Sequence, residues 1–152
     1  MKYELTDETN GSGLRRIRAL RDIPRYGVEE GDLGGWVESD GNLTQEGDCW
    51  VFDDAQVFGN TQVFGNAMVF GNARVCDDAQ VSDTALIYGN AMVFGNARVF
   101  GKARVSDDAR VFGNARVFGN ARVFGKARVS DDAQVFGNAR VFDAVVRGGV
   151  TS

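Results

Sequence analysis

From residue 49 to residue 144 the chain divides, without an insertion, into sixteen consecutive hexads of the form Ala-Arg-Val-Phe-Gly-Asn. A repeat this short and strict leaves few folds open, because each unit must bury its apolar side against copies of itself. The six columns have separate chemistries. Column one is Ala in fourteen hexads, with Cys49 and Thr61 as exceptions, and column three is Val everywhere except Ile87. Column two is Arg, Gln or Met apart from Trp50 and Leu86, and column four holds all eleven Phe of the chain. Column five is only Gly or Asp, and column six is mostly Asn.

Side chains alternate across a strand, so columns one and three share one side and columns two and four the other. Column two carries eight arginines, which puts small Ala and β-branched Val inside and Arg and Phe outside. Gly and Asp tolerate a left-handed backbone far better than Val or Phe, so column five is the corner. Three hexads to a coil give a triangular prism. The fold class is therefore all-β, a left-handed parallel β-helix with equivalent residues ~4.8 Å apart along the axis. The left-handed winding departs from the usual crossover rule and rests on the hexad signature alone.

The phase continues upstream, with Gly35, Gly41 and Gly47 in the corner column and Leu33, Val37 and Leu43 in interior columns. The helix is thus expected over residues 31–144. Residues 1–30 break the pattern: 2–6 and 16–23 read as strands around the turn Asn10-Gly11-Ser12-Gly13. An open solenoid end exposes strand edges and core, so this hairpin, with Pro24 and Trp36 near it, is the expected N-terminal cap. Residues 145–152 form a C-terminal tail too short for a substantial lid.

Charge is graded along the chain. Residues 1–48 carry 6 basic and 11 acidic side chains, residues 49–96 carry 1 and 5, and residues 97–152 carry 10 and 5. Such a gradient steers charged partners or aligns copies. Outside the prism, column four forms vertical files, among them Phe52, Phe70, Tyr88 and then Phe124, Phe142. Two readings stay open: the rings bury one another beneath the Arg ladders, or the strips are an interface in which aromatic residues and Arg concentrate. The irregular hexads favour a specific site. Trp50, Met68 and Leu86, spaced by eighteen, predict one exposed apolar file, and Trp36 and Met92 join the candidates for protein binding with Phe52, Phe70 and Tyr88. Arg104, Arg122 and Arg140 with Phe124 and Phe142 form a basic, aromatic face of the kind that holds single-stranded nucleic acid. The segment RVFGKARVSDDA occurs twice, twenty-four residues apart, so its copies fall on different sides of the prism.

Chemistry is harder to find. There is no histidine, so the base that hexapeptide-helix acyltransferases commonly use is missing. Asp pairs such as Asp77-Asp78 recur at the corners as a structural pattern, and no metal site or cofactor is expected. Gly11-Ser12-Gly13-Leu14 lacks the Lys and helix of a phosphate loop. Cys49 and Cys76 make neither a zinc spacing nor a disulfide framework, which favours a reducing compartment. No apolar run suits a membrane span or a signal peptide.

The opening KYELTDET, then RIRALRDI, then GDLGGWVES, followed by VFGNAR-type hexads, resembles the phage- and prophage-encoded hexapeptide-repeat β-helix proteins. The resemblance covers the whole chain and implies a left-handed β-helix of viral or prophage origin. Tyr or Ser commonly fills the column that Phe occupies here, so this surface is stickier than the resemblance implies. By analogy of class, small non-catalytic phage proteins of this kind act as anti-CRISPR-like inhibitors. The expectation is a non-catalytic scaffold in the host cytoplasm that binds a host protein or protein–nucleic-acid complex. Homo-oligomers would form through the Phe strips or the open C-terminal coil. The alternatives are a tail-fibre or spike segment of a virion and a single-stranded nucleic-acid binder.

Overall fold

A computed structural model describes residues 1–152. Every corner from Asp53 to Asp143 has a left-handed backbone: the column-five Asp residues lie at φ 54–62° and Gly59, Gly65 and Gly71 at 66–69°. Between corners run strands two or three residues long, stacked into three parallel sheets. The first face contains Gln56–Val57, Arg74–Val75, Met92–Val93, Arg110–Val111, Arg128–Val129 and Val145–Val146. The second contains Trp50–Val51, Met68–Val69, Leu86–Ile87, Arg104–Val105, Arg122–Phe124 and Arg140–Phe142. The third contains Gln62–Val63, Gln80–Val81, Arg98–Val99, Arg116–Val117, Gln134–Val135 and Val150–Thr151.

Within the repeats, strands pair eighteen residues apart, as in Leu86 with Arg104 and Ile87 with Val105. Columns one and three fill the centre. Ala55 to Ala133 and Val51 to Val135 are fully buried at every repeat, in one core that runs the length of the molecule. Each backbone rung hydrogen-bonds the next, and the corners stack as well, with the Asn60 amide donating to the Asp77 carbonyl at 2.8 Å. The expected all-β parallel β-helix, three hexads to the coil, is what forms.

Upstream the phase differs from expectation. Trp36 and Val37 pair with Gln56 and Val57, and Leu43 with Val63, twenty residues apart, whereas Trp50 pairs with Met68. Two extra residues therefore lie between Leu43 and Trp50. Of the three proposed corner glycines only Gly47 has a positive φ, and Leu33 is 55% exposed instead of interior. Gly35 and its neighbour Gly34 serve close approach. A Cβ on Gly35 would come within 2.6 Å of Val51 Cγ1, and one on Gly34 within 2.7 Å of Ile17 Cγ1.

The cap is antiparallel. Strand β1 (Tyr3–Thr9) pairs with β2 (Arg15–Ala19), and β2 pairs with β3 (Leu33–Val37), which joins the first face in parallel. The turn is built as read, with the Asn10 side chain accepting from the Ser12 and Leu14 amides at 2.8 and 3.0 Å. Tyr3, Ile17, Ala19, Ile23 and Val28 close the core end. The seal also contains buried polar groups. Lys2 Nζ donates to the Cys49 carbonyl at 2.7 Å and lies 3.2 Å from its Sγ; burial lowers the Lys2 pKa. The Tyr3 hydroxyl donates to the Leu43 carbonyl, and burial raises its pKa. The Asn42 side chain donates to the Gly59 and Thr61 carbonyls at 3.1 and 3.0 Å.

At the other end, the C-terminal residues continue the helix with shortened steps. Val145 pairs with Arg128 and Val150 with Gln134, adding one strand to the first face and one to the third. Phe142, Val145 and Val150 are exposed there at 57, 57 and 66%.

Candidate binding face

Columns two and four supply the outward side chains of the flat sides, so the surface is read face by face. Met68, Leu86, Arg104, Arg122 and Arg140 follow one another in register on the second face. Beside them stands the column-four file Phe52, Phe70, Tyr88, Ser106, Phe124, Phe142. The upper part is apolar and the lower part basic.

Two of the expected binding residues are not available. Trp50 is 1% exposed, covered by Tyr3 with ring centroids 6.2 Å apart, so the apolar file begins at Met68. Trp36 lies on the first face, 9% exposed, beneath Arg16, whose guanidinium carbon is 4.1 Å from its ring centre. Both tryptophans belong to the seal between cap and coil, because a large ring at a solenoid mouth gains most by covering the open core. Met92 is half-buried but sits on the first face between Arg74 and Arg110, apart from Met68 and Leu86. Phe52, Phe70 and Tyr88 do share the second face, and Tyr26 of the cap packs edge-on against Phe52 at 6.4 Å. Tyr26 is a site component the sequence did not reveal, since it lies outside the repeat; its hydroxyl donates to the Asn66 carbonyl and burial raises its pKa.

The rings stack where column four is continuous. Centroids lie 4.8 Å apart for Phe70 and Tyr88, 4.9 Å for Phe94 and Phe112, 4.9 Å for Phe100 and Phe118, and 5.1 Å for Phe118 and Phe136. Phe124 and Phe142 are 5.0 Å apart and tilted. Of the reading that buried the rings against one another beneath Arg ladders, the stacking forms but the Arg cover does not: the two cation–π contacts, Arg16 with Trp36 and Arg25 with Tyr26, are both in the cap region. The ion pairs also belong to cap arginines, Arg15, Arg16, Arg18 and Arg21. All eight column-two arginines are exposed and have no carboxylate partner. Column two points straight out from a flat side, while the nearest acids sit at the corners, where Asp53, Asp77, Asp83 and Asp107 accept the amide of the corner one coil on at 2.8–3.1 Å. On the second face Arg104, Arg122 and Arg140 are thus brought together with Phe124 and Phe142 as a basic strip with free cations.

The concavities are shallow. A groove of about 490 Å³ lies over Gly41, Thr44, Glu46, Gly47, Gln62, Phe64 and Gly65 at the two-residue insertion. A second, of about 250 Å³, lies on the second face between Tyr88 and Phe124. No group of three or more Cys, Asp or Glu is arranged to hold a metal ion, and no helix is long and apolar enough to cross a membrane.

A family model described as YdcK Beta solenoid repeat matches residues 61–77, 85–101, 103–117, 115–131 and 133–149, more than half of the chain. The chain belongs to the YdcK beta solenoid repeat family. Each YdcK match begins in column one and spans nearly one coil, on the third face at 61, 115 and 133 and on the second at 85 and 103. In this chain the matched unit is therefore nearly one coil in hexad phase, beginning on either of two faces. No curated protein matches the sequence.

Proposed function

We propose that the protein is a non-catalytic binding scaffold that holds a protein partner on its second face. The observation that carries this reading is the strip of Met68, Leu86, Phe70 and Tyr88 running into Arg104, Arg122 and Arg140, cations with no partner of their own. Aromatic residues and arginines are the anchors that interfaces concentrate, and unpaired cations add steering toward an acidic partner. The resemblance to phage and prophage proteins supports a more specific form. In it the scaffold is an anti-CRISPR-like inhibitor acting in the host cytoplasm, and the partner is a host defence complex that handles nucleic acid, blocked by occlusion. A second reading, single-stranded nucleic-acid binding, is favoured by the same Arg ladder beside Phe124 and Phe142.

Site-specific photo-crosslinking tests the proposal. A photoreactive residue at position 86 should capture a discrete host defence protein, whereas one at position 116 on the third face should not. Equal capture from both faces, or recovery of nucleic acid alone, overturns it. Stabilisation by coenzyme A in a thermal melt would argue instead for acyl-transfer chemistry.

A further inference from the structure

The aromatic files are interrupted where column four holds a small residue, and one interruption makes a slot. On the second face Ser106 stands one coil after Tyr88 and one before Phe124. Since successive coils are ~4.8 Å apart, the two rings lie roughly 9.6 Å apart, which admits one planar ring between them. Phe70 and Tyr88, one coil apart, stack at 4.8 Å with an interplanar angle of 3°, which is the spacing an inserted ring would continue. The slot has a volume of about 250 Å³ and is lined by Tyr88, Arg104, Ser106, Asp107, Arg122 and Phe124. Ser106, 7% exposed, is its floor. Arg104 and Arg122 are register neighbours without ion pairs. The other interruptions lack this combination: Ser82 stands between Gln80 and Arg98, Cys76 between Arg74 and Met92, and Ser130 between Arg128 and Val145.

We infer that the slot takes the aromatic side chain of an acidic peptide segment, its ring completing the file and its flanking carboxylates meeting Arg104 and Arg122. The inference rests on the protein-binding reading of the second face and names the chemistry of the partner there. A peptide suits the slot better than a nucleotide chain. Asp107 and exposed Asp108 stand at one side, where the evenly spaced phosphates of a nucleotide chain must pass them, whereas a peptide can keep its carboxylates on the side of Arg104 and Arg122; Leu86, one coil before Arg104, offers apolar contact.

The repeat supplies its own blocking variant. Phe already precedes an Asp corner at Phe52-Asp53 and Phe142-Asp143, so Ser106→Phe fills the slot with the column's usual residue. The probe is a fluorescent pentapeptide with a central Phe between acidic pairs, compared with its Ala counterpart and with AMP by anisotropy. The Phe peptide should bind the wild-type protein at least tenfold more tightly than the Ala peptide. Ser106→Phe should weaken it tenfold while raising Tm, and Arg122→Ala should weaken both peptides. Equal binding to wild type and Ser106→Phe, absence of binding at millimolar peptide, or tighter binding of AMP each overturns the slot. If the crosslinks from position 86 persist in any of those cases, the slot alone falls and the binding face stands.

Discussion

At a corner of this helix, Gly and Asp are not interchangeable freely. In each corner file an Asp with a corner after it is followed one coil on by Gly, never by a second Asp. The structure gives the reason at Asp53, Asp77, Asp83 and Asp107: the carboxylate reaches forward to accept the next corner's amide, as Asp107 does from Gly125 at 2.9 Å. A second carboxylate there would crowd and repel the first. The glycines are held by sterics as well as by φ. At Gly113, φ is +66° and a Cβ would lie 2.6 Å from the Asp131 nitrogen. Gly113→Ala should therefore cost more than the ~1–2 kcal/mol of a left-handed residue alone, read from denaturant midpoints. Cys76 offers a test by pH. Burial, aided by Asp77, pushes its thiol up to about 11 from an ordinary value of 9.0. A raised folded-state pKa gives stability that is fully present below pH 9 and is lost as pH rises to about 11. The loss of stability over that window should be smaller in Cys76→Ser than in wild type, and because Lys2 and Tyr3 titrate equally in both proteins, the difference isolates the thiol.

Among the strands, each holds too few residues to be stable singly, and the stacked rings add a second bond between coils outside the core. Phe118 touches a ring on both sides, Phe100 and Phe136, whereas Phe64 is followed by Ser82 and has no ring contact. With each pair worth ~0.5–1.5 kcal/mol beyond its buried area, Phe118→Ala should destabilise more than Phe64→Ala by about 1–3 kcal/mol. Equal losses by chemical denaturation would mean the stacking contributes nothing. The column logic that predicts these elements was legible because period six, β alternation and the Gly/Asp restriction all point the same way, from Ala55 to Val141. It fails where side chains from outside the repeat intervene. Trp50 is in an outward column, and only Tyr3, forty-seven residues earlier, turns it into core. Likewise nothing in the local sequence at Gly41 shows the two residues inserted after Leu43, since glycines recur every six residues by coincidence with the true corners. The slot at Ser106 was invisible for another reason: it exists only as an omission from a file whose members lie eighteen residues apart.

For the molecule as a whole, like charges are lined up with like. Arg104, Arg122 and Arg140 stand in one row, Arg98 and Arg116 in another, Arg110 and Arg128 in a third, none of them ion-paired. Their repulsion is open to screening, whose length falls from ~30 Å at 0.01 M to ~3 Å at 1 M salt. Thermal stability should therefore rise by a few degrees between these salt concentrations, and the rise should shrink in Arg104→Gln/Arg122→Gln. A Tm that falls with salt would show that the five ion pairs of the cap region outweigh the rows. The uniform core has a further consequence for folding. Apart from Thr61 and Ile87, the Ala-Val rungs after the first coil are identical and fit one another equally well if the chain slips by a coil, so the later interior carries almost no address. Only the odd fittings at the start do: Lys2 in its ring of carbonyls, Asn42 bridging to Thr61, Ile17 against the bare backbone of Gly34. Those few contacts tell the first rung where it belongs, and every later rung inherits its place from the one before.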